Sequence, residues 1–190
     1  VLATGSVPHY FNIPGAAEYA LPLRMLSHGI AVRNHILNCF EQAVYEPDPE
    51  RRRALLTFAI VGGGPTGVEF AGSLSELIKH PLRRDYPTID FGEVRVLLIE
   101  AMDRLLPALP EPLSRYTTRR LNQMKVDVRL NTPVARINAC ALQLKDGTEI
   151  PSATVLWTAG VRGDPLAQRS GLPVTRSGQV RVLPTLQAPD

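Results

Sequence analysis

Thr57-Phe58-Ala59-Ile60-Val61-Gly62-Gly63-Gly64-Pro65-Thr66-Gly67 is a short apolar, β-prone run that ends in a glycine-rich turn. Gly62, Gly64 and Gly67 stand at G-x-G-x-x-G spacing, and a helical pattern of apolar residues follows. Each glycine answers a different demand. Gly62 permits the tight turn, Gly64 lets a pyrophosphate approach the backbone, and Gly67 lets helix and strand pack closely. Pro65 suits a first helical position. The unpaired N–H groups and partial positive charge of the helix start would face the phosphates. With a strand before it and a helix after it, the pattern implies a dinucleotide-binding turn. Gly62, Gly63, Gly64, Pro65, Thr66 and Gly67 are therefore candidate cofactor-binding residues, for an NAD.

The rest of the chain fits an α/β fold around this turn. On the carboxyl side the periodicity predicts a helix over 65–79, packing through Val68, Ala71, Gly72 and Leu74 to Ile78, then a polar, proline-bearing insertion over 80–92. A second strand is predicted over 94–100, a helix over 112–124 and a third strand over 126–130. The period then changes to short strands over 134–137, 140–144 and 148–150, with Asp146-Gly147 as a hairpin turn. Thr154 to Trp157 returns as a buried strand ending in Thr158-Ala159-Gly160. The result is a Rossmann-like parallel sheet, βαβαβ, with a small antiparallel β-meander crossover before one more parallel strand.

On the amino side, the Arg51-Arg52-Arg53 triplet is expected to be a solvated approach to the first strand, and Glu46-Pro47-Asp48-Pro49 a helix break. Met25, Leu26, Ile30, Ile36, Leu37, Phe40 and Val44 recur at helical spacing over 23–45. Residues 6–22 read as a loop and Val1 to Gly5 as a strand. That strand and Val155 to Gly160 both end in small-residue turns, which fits either two related nucleotide domains or coincidence.

With 190 residues, 44% of them hydrophobic, the chain can bury one full core and part of a second. No apolar run approaches the ~20 residues that span a bilayer, and no signal-peptide pattern opens the sequence. The net charge of +3 is scattered, so no nucleic-acid partner is expected. Cys39 and Cys140 lie far apart with no C-x-x-C, which excludes the usual redox-active pair, and both are expected to be buried or inert. The histidines His9, His28, His35 and His80 lack metal-ligand spacing, so no metal is expected.

Glu100, at the end of the second strand, is placed to accept hydrogen bonds from adenosine ribose hydroxyls. It would repel a 2′-phosphate and so favour NAD(H) over NADP(H). The 80–92 insertion carries it beyond the usual ~20-residue separation. Arg104 could soften that selectivity or cover the adenine. Glu69 has two readings, a carboxylate favoured by the helix dipole or a group at the nicotinamide. Ala159 and Gly160 are small enough for a nicotinamide ring to lie on the backbone, while Trp157 reads as core. No Ser-His-Asp order or paired carboxylate site appears. Hydride chemistry needs neither, since the cofactor carries it and the protein orients it.

Several stretches together resemble type II NADH dehydrogenases. They are Ala3-Thr4-Gly5-Ser6, Arg33-Asn34-His35-Ile36-Leu37, Val61 to Glu69, Asp85-Tyr86-Pro87, Glu100-Ala101 with Arg104-Leu105-Leu106-Pro107, Arg129 to Pro133, Trp157 to Val161, and Pro184 to Gln187. The resemblance implies a flavoprotein in which NADH gives a hydride to FAD, and electrons then pass to a membrane quinone without proton pumping. It implies that the glycine turn holds the NADH pyrophosphate, Glu100 the ribose, and that Glu69 acts catalytically near the nicotinamide. It also implies a cytoplasmic protein peripheral to the inner face of the cell membrane.

On that reading residues 1–50 are a flavin-domain remnant with a connecting helix, 51–162 the NADH-binding domain, and 163–190 the start of a return to the flavin domain. The family's FAD glycine motif, a Gly-Asp element past Asp190 and the amphipathic membrane-binding region are missing. The chain alone is thus expected to be a soluble excised segment that binds NADH but neither holds FAD nor reduces quinone. Two alternatives stay open: a redox-sensing NADH-binding module, or a related FAD-dependent reductase with another acceptor.

Overall fold

The computed structural model describes residues 1–188, so Pro189 and Asp190, the end of the predicted return segment, lie outside the described residues. The chain forms two compact units, Asn12–Ala159 and a smaller one built from Val1–Phe11 with the segment from Gly160 onward.

In chain order the larger unit begins with α1 (Ala16–Tyr19), β2 (Leu21–Pro22), α2 (Leu26–Tyr45) and α3 (Pro49–Leu55). There follow β3 (Thr57–Val61), α4 (Pro65–Leu77), a π-helical turn (Ile78–Leu82), α5 (Arg83–Asp85) and β4 (Arg95–Ile99). The unit ends with α6 (Glu111–Gln123), β5 (Val126–Arg129), β6 (Val134–Ile137), β7 (Ala141–Leu144), β8 (Glu149–Pro151) and β9 (Thr154–Trp157). The main sheet has the order β2-β9-β3-β4-β5 and all its pairings are parallel. Strands β6, β7 and β8 form a separate antiparallel meander. The expected βαβαβ, meander and returning strand are all present.

Strand β3 is buried at every position. Phe58 and Ile60 belong to the cluster that also contains Ile36 and Phe40 of α2, Ala71 and Leu74 of α4, and Leu121 of α6. Ala59 points to the opposite face by strand alternation and is equally buried, as are Leu97 and Val155. A strand covered on both faces needs apolar residues at consecutive positions, which is why β3, β4 and β9 read as unbroken runs. Phe40 anchors α2: its ring stacks on Phe58 at 5.7 Å and meets Tyr86 at 5.4 Å and Phe91 at 6.0 Å.

Several expectations are corrected here. Val1 to Gly5 is not a strand, because these exposed residues have no sheet neighbour. The span 6–22 is not a plain loop but holds β1 (Ser6–Pro8), α1 and β2. Pro22 is tolerated in β2 because that strand is the sheet's edge. The arginine triplet leads into β3 as part of a helix, α3, which Asp48 caps by accepting the Glu50 amide at 2.9 Å, with Pro49 opening the helix. Arg51 and Arg53 are exposed, whereas Arg52 is half-buried and binds both oxygens of Glu93, at 3.0 and 3.3 Å. The 80–92 segment is partly helical, and Met25, Leu26 and Ile30 are exposed rather than part of the packing face of α2.

In the smaller unit, β1 pairs antiparallel with β10 (Val161–Gly163), and a short helix, α7 (Pro165–Arg169), follows.

Candidate functional site

Strands β3 and β9 are sheet neighbours, yet the chain leaves β3 towards β4 and β5 and reaches β9 only at the end. The carboxyl ends of β3 and β9 therefore flank a topological switch point, the place where open α/β sheets receive ligands. The glycine turn lies there.

Its glycines are required for different reasons. Gly62 has φ 117°, and a Cβ on it would lie 2.6 Å from the Ala159 nitrogen. A Cβ on Gly67 would drive into the Gly62 carbonyl oxygen and sit 2.8 Å from Thr158 Oγ1. One on Gly63 would lie 2.6 Å from Leu105 Cδ2 and 2.9 Å from Glu100 Oε2, a packing demand that the motif spacing does not announce. Gly64 is unlike these three: its φ is −73°, and a Cβ there would meet no protein atom within 4 Å. Neither backbone strain nor internal packing calls for glycine at that position.

Gly64 is also the N-cap of α4, and no side chain caps that helix. Pro65 has no N–H, so the first-turn amides that remain, those of Thr66 and Gly67, lack an intrahelical acceptor. Together the bare Gly64 face and these amides form a concave backbone surface with partial positive charge, suited to an anion.

Glu100 stands just past β4, half-buried, and both its oxygens are engaged. Oε2 accepts the Gly63 amide at 2.5 Å and Oε1 the Met102 amide at 2.8 Å. The Leu106 amide donates to the Gly63 carbonyl at 2.9 Å, so the segment after β4 braces the glycine turn from two sides. Each carboxylate oxygen has a second lone pair, which leaves capacity for a hydroxyl donor. Arg104 turns its guanidinium to the Pro107 carbonyl at 3.1 Å.

On the other side, the Thr158 amide continues the β3–β9 ladder to Val61 O at 2.9 Å. Its hydroxyl lies 3.0 Å from both Val61 O and Gly62 O. The sequence assigns Thr158 and Leu105 no role of their own in the site, although both fall in stretches that carry the resemblance, since a threonine closing a strand and a leucine in a loop do not announce what they touch. Ala159 is half-buried against Gly62, and Trp157 is buried as expected. Gly160 belongs to the smaller unit, where its φ of 88° and the Phe11 ring, 2.7 Å from a would-be Cβ, already require glycine. Glu69 is exposed and is the fifth residue of α4. It lies beyond the first turn, so the helix dipole gives it little, and that reading weakens.

The thiols play no part in the site. Cys39 is buried, with its thiol pushed up by that burial, and its sulfur lies 3.5 Å from His35 Nε2. That nitrogen also lies 3.1 Å from the Ala153 carbonyl and 3.0 Å from Thr154 Oγ1, so it is shared among structural contacts that tie α2 to β9. Cys140 is exposed rather than buried, because it sits at the tip between β6 and β7.

A family model of the pyridine nucleotide-disulphide oxidoreductases matches residues 1–190. The chain belongs to that family. Within it, the type II NADH:quinone oxidoreductase Ndh of Mycobacterium tuberculosis is 38% identical over 197 aligned positions, covering all of this chain and 42% of the relative. The type II NADH:quinone oxidoreductase of Haemophilus influenzae is 34% identical over 98% of this chain and 45% of the relative. The chain thus spans less than half the length of these curated relatives. The structure of NDH2 from Plasmodium falciparum in complex with NADH superposes with a TM-score of 0.82 over 94% of this chain and 38% of that one. At 22% identity that likeness establishes the fold. In this pyridine nucleotide-disulphide oxidoreductase chain, no helix among the described residues is long and apolar enough to cross a membrane.

Proposed function

We propose that this chain is the NADH-binding part of a type II NADH dehydrogenase, in which NADH reduces FAD and the electrons pass to a membrane quinone without proton pumping. Gly64 carries the reading. Its bare backbone faces open space without an internal reason for glycine, and it adjoins an uncapped helix start. A pyrophosphate meets both conditions, as it needs close backbone approach and accepts hydrogen bonds from free amides. The similarity to the mycobacterial and Haemophilus enzymes supports the same assignment.

In this reading the amides at the start of α4 hold the pyrophosphate, and Gly62 and Gly67 keep strand and helix close enough to form the seat. Glu100, pre-oriented by Gly63 and Met102, accepts the adenosine ribose hydroxyls and disfavours a 2′-phosphate. Ala159, small and half-buried beside Gly62, leaves the backbone open to the nicotinamide, which supplies the hydride. Glu69 orients the nicotinamide from α4. The sequence has one G-x-G-x-x-G turn, assigned to NADH, and none of its residues is assigned to FAD. Quinone, the membrane surface and a place at the inner face of the cell membrane are proposals for the whole protein.

Calorimetry on this chain tests the core of the assignment. NADH and ADP-ribose are expected to bind, and NADPH more weakly. Absence of NADH binding, or equal binding of NADPH, would refute it.

A further inference from the structure

We infer that Thr158 is a positioning residue for the dinucleotide, its hydroxyl fixing the seat of the glycine turn between β3 and β9. The inference rests on the NADH reading above.

The β3–β9 ladder ends with the Thr158 amide on Val61 O, at 2.9 Å. One residue further the chain turns sharply at Gly62, whose φ of 117° takes its carbonyl out of the ladder pattern. That carbonyl is met by the Thr158 hydroxyl at 3.0 Å, and the same hydroxyl reaches Val61 O at 3.0 Å. A hydroxyl has one proton, so it is shared between the two oxygens. The position also touches the helix: a Cβ on Gly67 would lie 2.8 Å from Thr158 Oγ1. Thr158 Oγ1, Gly62 O and Gly67 Cα therefore form a close-packed group that joins the last strand, the turn and the first turn of α4.

From the other side, Glu100 holds Gly63 by its amide and Leu106 holds it by its carbonyl. The turn is thus clamped between two elements. Thr158 and Glu100 hold the Gly62–Gly63 peptide from opposite ends, one at its carbonyl and the other at its N–H, and Leu106 holds the next peptide at the Gly63 carbonyl. The β-branched side chain suits the task, because Thr has few χ1 states and holds its hydroxyl in one direction. Removing the hydroxyl leaves the Gly62–Gly63 peptide held at its N–H alone, with its carbonyl no longer fixed. The loosened peptide shifts the backbone surface at Gly64 and the amides of Thr66 and Gly67. Valine in place of threonine is not neutral here, since it brings a methyl where an oxygen now rests 3.0 Å from a carbonyl.

The test uses this chain with Thr158→Val, Thr158→Ala and Thr158→Ser, titrated calorimetrically with NADH and with ADP-ribose. Backbone amide spectra of residues 62–67 are recorded without ligand. Val and Ala are expected to weaken both ligands about tenfold, the scale of one lost hydrogen bond, and to shift the 62–67 amides. Ser, which keeps the hydroxyl, should stay within about twofold of the parent with unshifted amides. The alanine variant carries the test if valine prevents folding, because it inserts no methyl. Parent-like binding by both Val and Ala overturns the inference and leaves the NADH reading standing. So does a serine variant as impaired as valine, which would transfer the role from the hydroxyl to the methyl. A parent chain that binds neither ligand removes the NADH reading and this inference with it.

Discussion

Replacing Glu100 with alanine should destabilise the empty protein as well as alter nucleotide preference. A carboxylate that merely waits for a ribose would contribute nothing in the absence of ligand. Glu100 instead accepts two backbone amides, and they are not equivalent. Gly63 is buried, so its amide loses a charge-assisted bond and finds no water in its place, a loss of about 1.5–3 kcal/mol. Met102 is exposed and its amide recovers water, which adds a few tenths of a kcal/mol. About 2–3 kcal/mol is expected in all. For a chain of this size that corresponds to a fall in Tm of about 4–12 °C. Glu100→Gln should lie between, because its amide oxygen can still accept one of the two bonds. Thermal and urea unfolding of the unliganded variants measure the loss, and NADH and NADPH titrations show the narrowed preference. An alanine variant melting within about 1 °C of the parent would refute the clamp and return Glu100 to a solvated strand end.

Gly64→Ala should leave stability within about 1 kcal/mol, since its backbone conformation is ordinary and its surroundings are open. It should still weaken NADH binding by more than about tenfold, whereas Gly67→Ala, which drives a carbon into Gly62 O, should unfold first. In the whole enzyme Glu69→Gln should leave NADH affinity nearly unchanged and slow flavin reduction or reoxidation by about 10- to 100-fold. Stopped-flow traces of flavin bleaching and recolouring with unchanged rates would exclude that role. Cys140 should react with a thiol reagent in the folded protein and Cys39 only on unfolding, given the exposure of one and the burial and raised pKa of the other; mass spectrometry of the modified peptides decides it.

The motif-bearing half of the larger unit was legible because its physics is local. An apolar run buried at every position, a turn that only glycine can make and a proline-led helix are all written in consecutive residues from Thr57 to Leu77. The errors have equally specific causes. Asp48-Pro49-Glu50 carried an N-cap signal for α3, but the short helix behind it, dominated by arginines, has no apolar period to reveal it. Val1 to Gly5 has strand-like composition, and composition cannot supply a neighbouring strand. The exposure of Met25, Leu26 and Ile30 escaped notice because periodicity marks a helix without saying how far along it the packing extends. Within the candidate site, Gly62, Gly64 and Gly67 were readable from spacing and Glu100 from its place at the end of a strand. Thr158 was not, since its partners lie almost a hundred residues away in sequence.

That separation has a consequence for how the protein is made. During synthesis β3 emerges with its glycine turn, and β4 and β5 can pair beside it soon afterwards. The edge of β3 that β9 will occupy stays open until the meander and the final strand have followed. Until then Gly62 has no Ala159 against it and no Thr158 hydroxyl on its carbonyl. A nascent chain therefore exposes an apolar strand edge, an aggregation hazard, and has an unbraced glycine turn at the same moment. Closure of β9 removes both conditions in one step, so the moment at which the sheet is sealed is also the moment at which the turn takes its final shape.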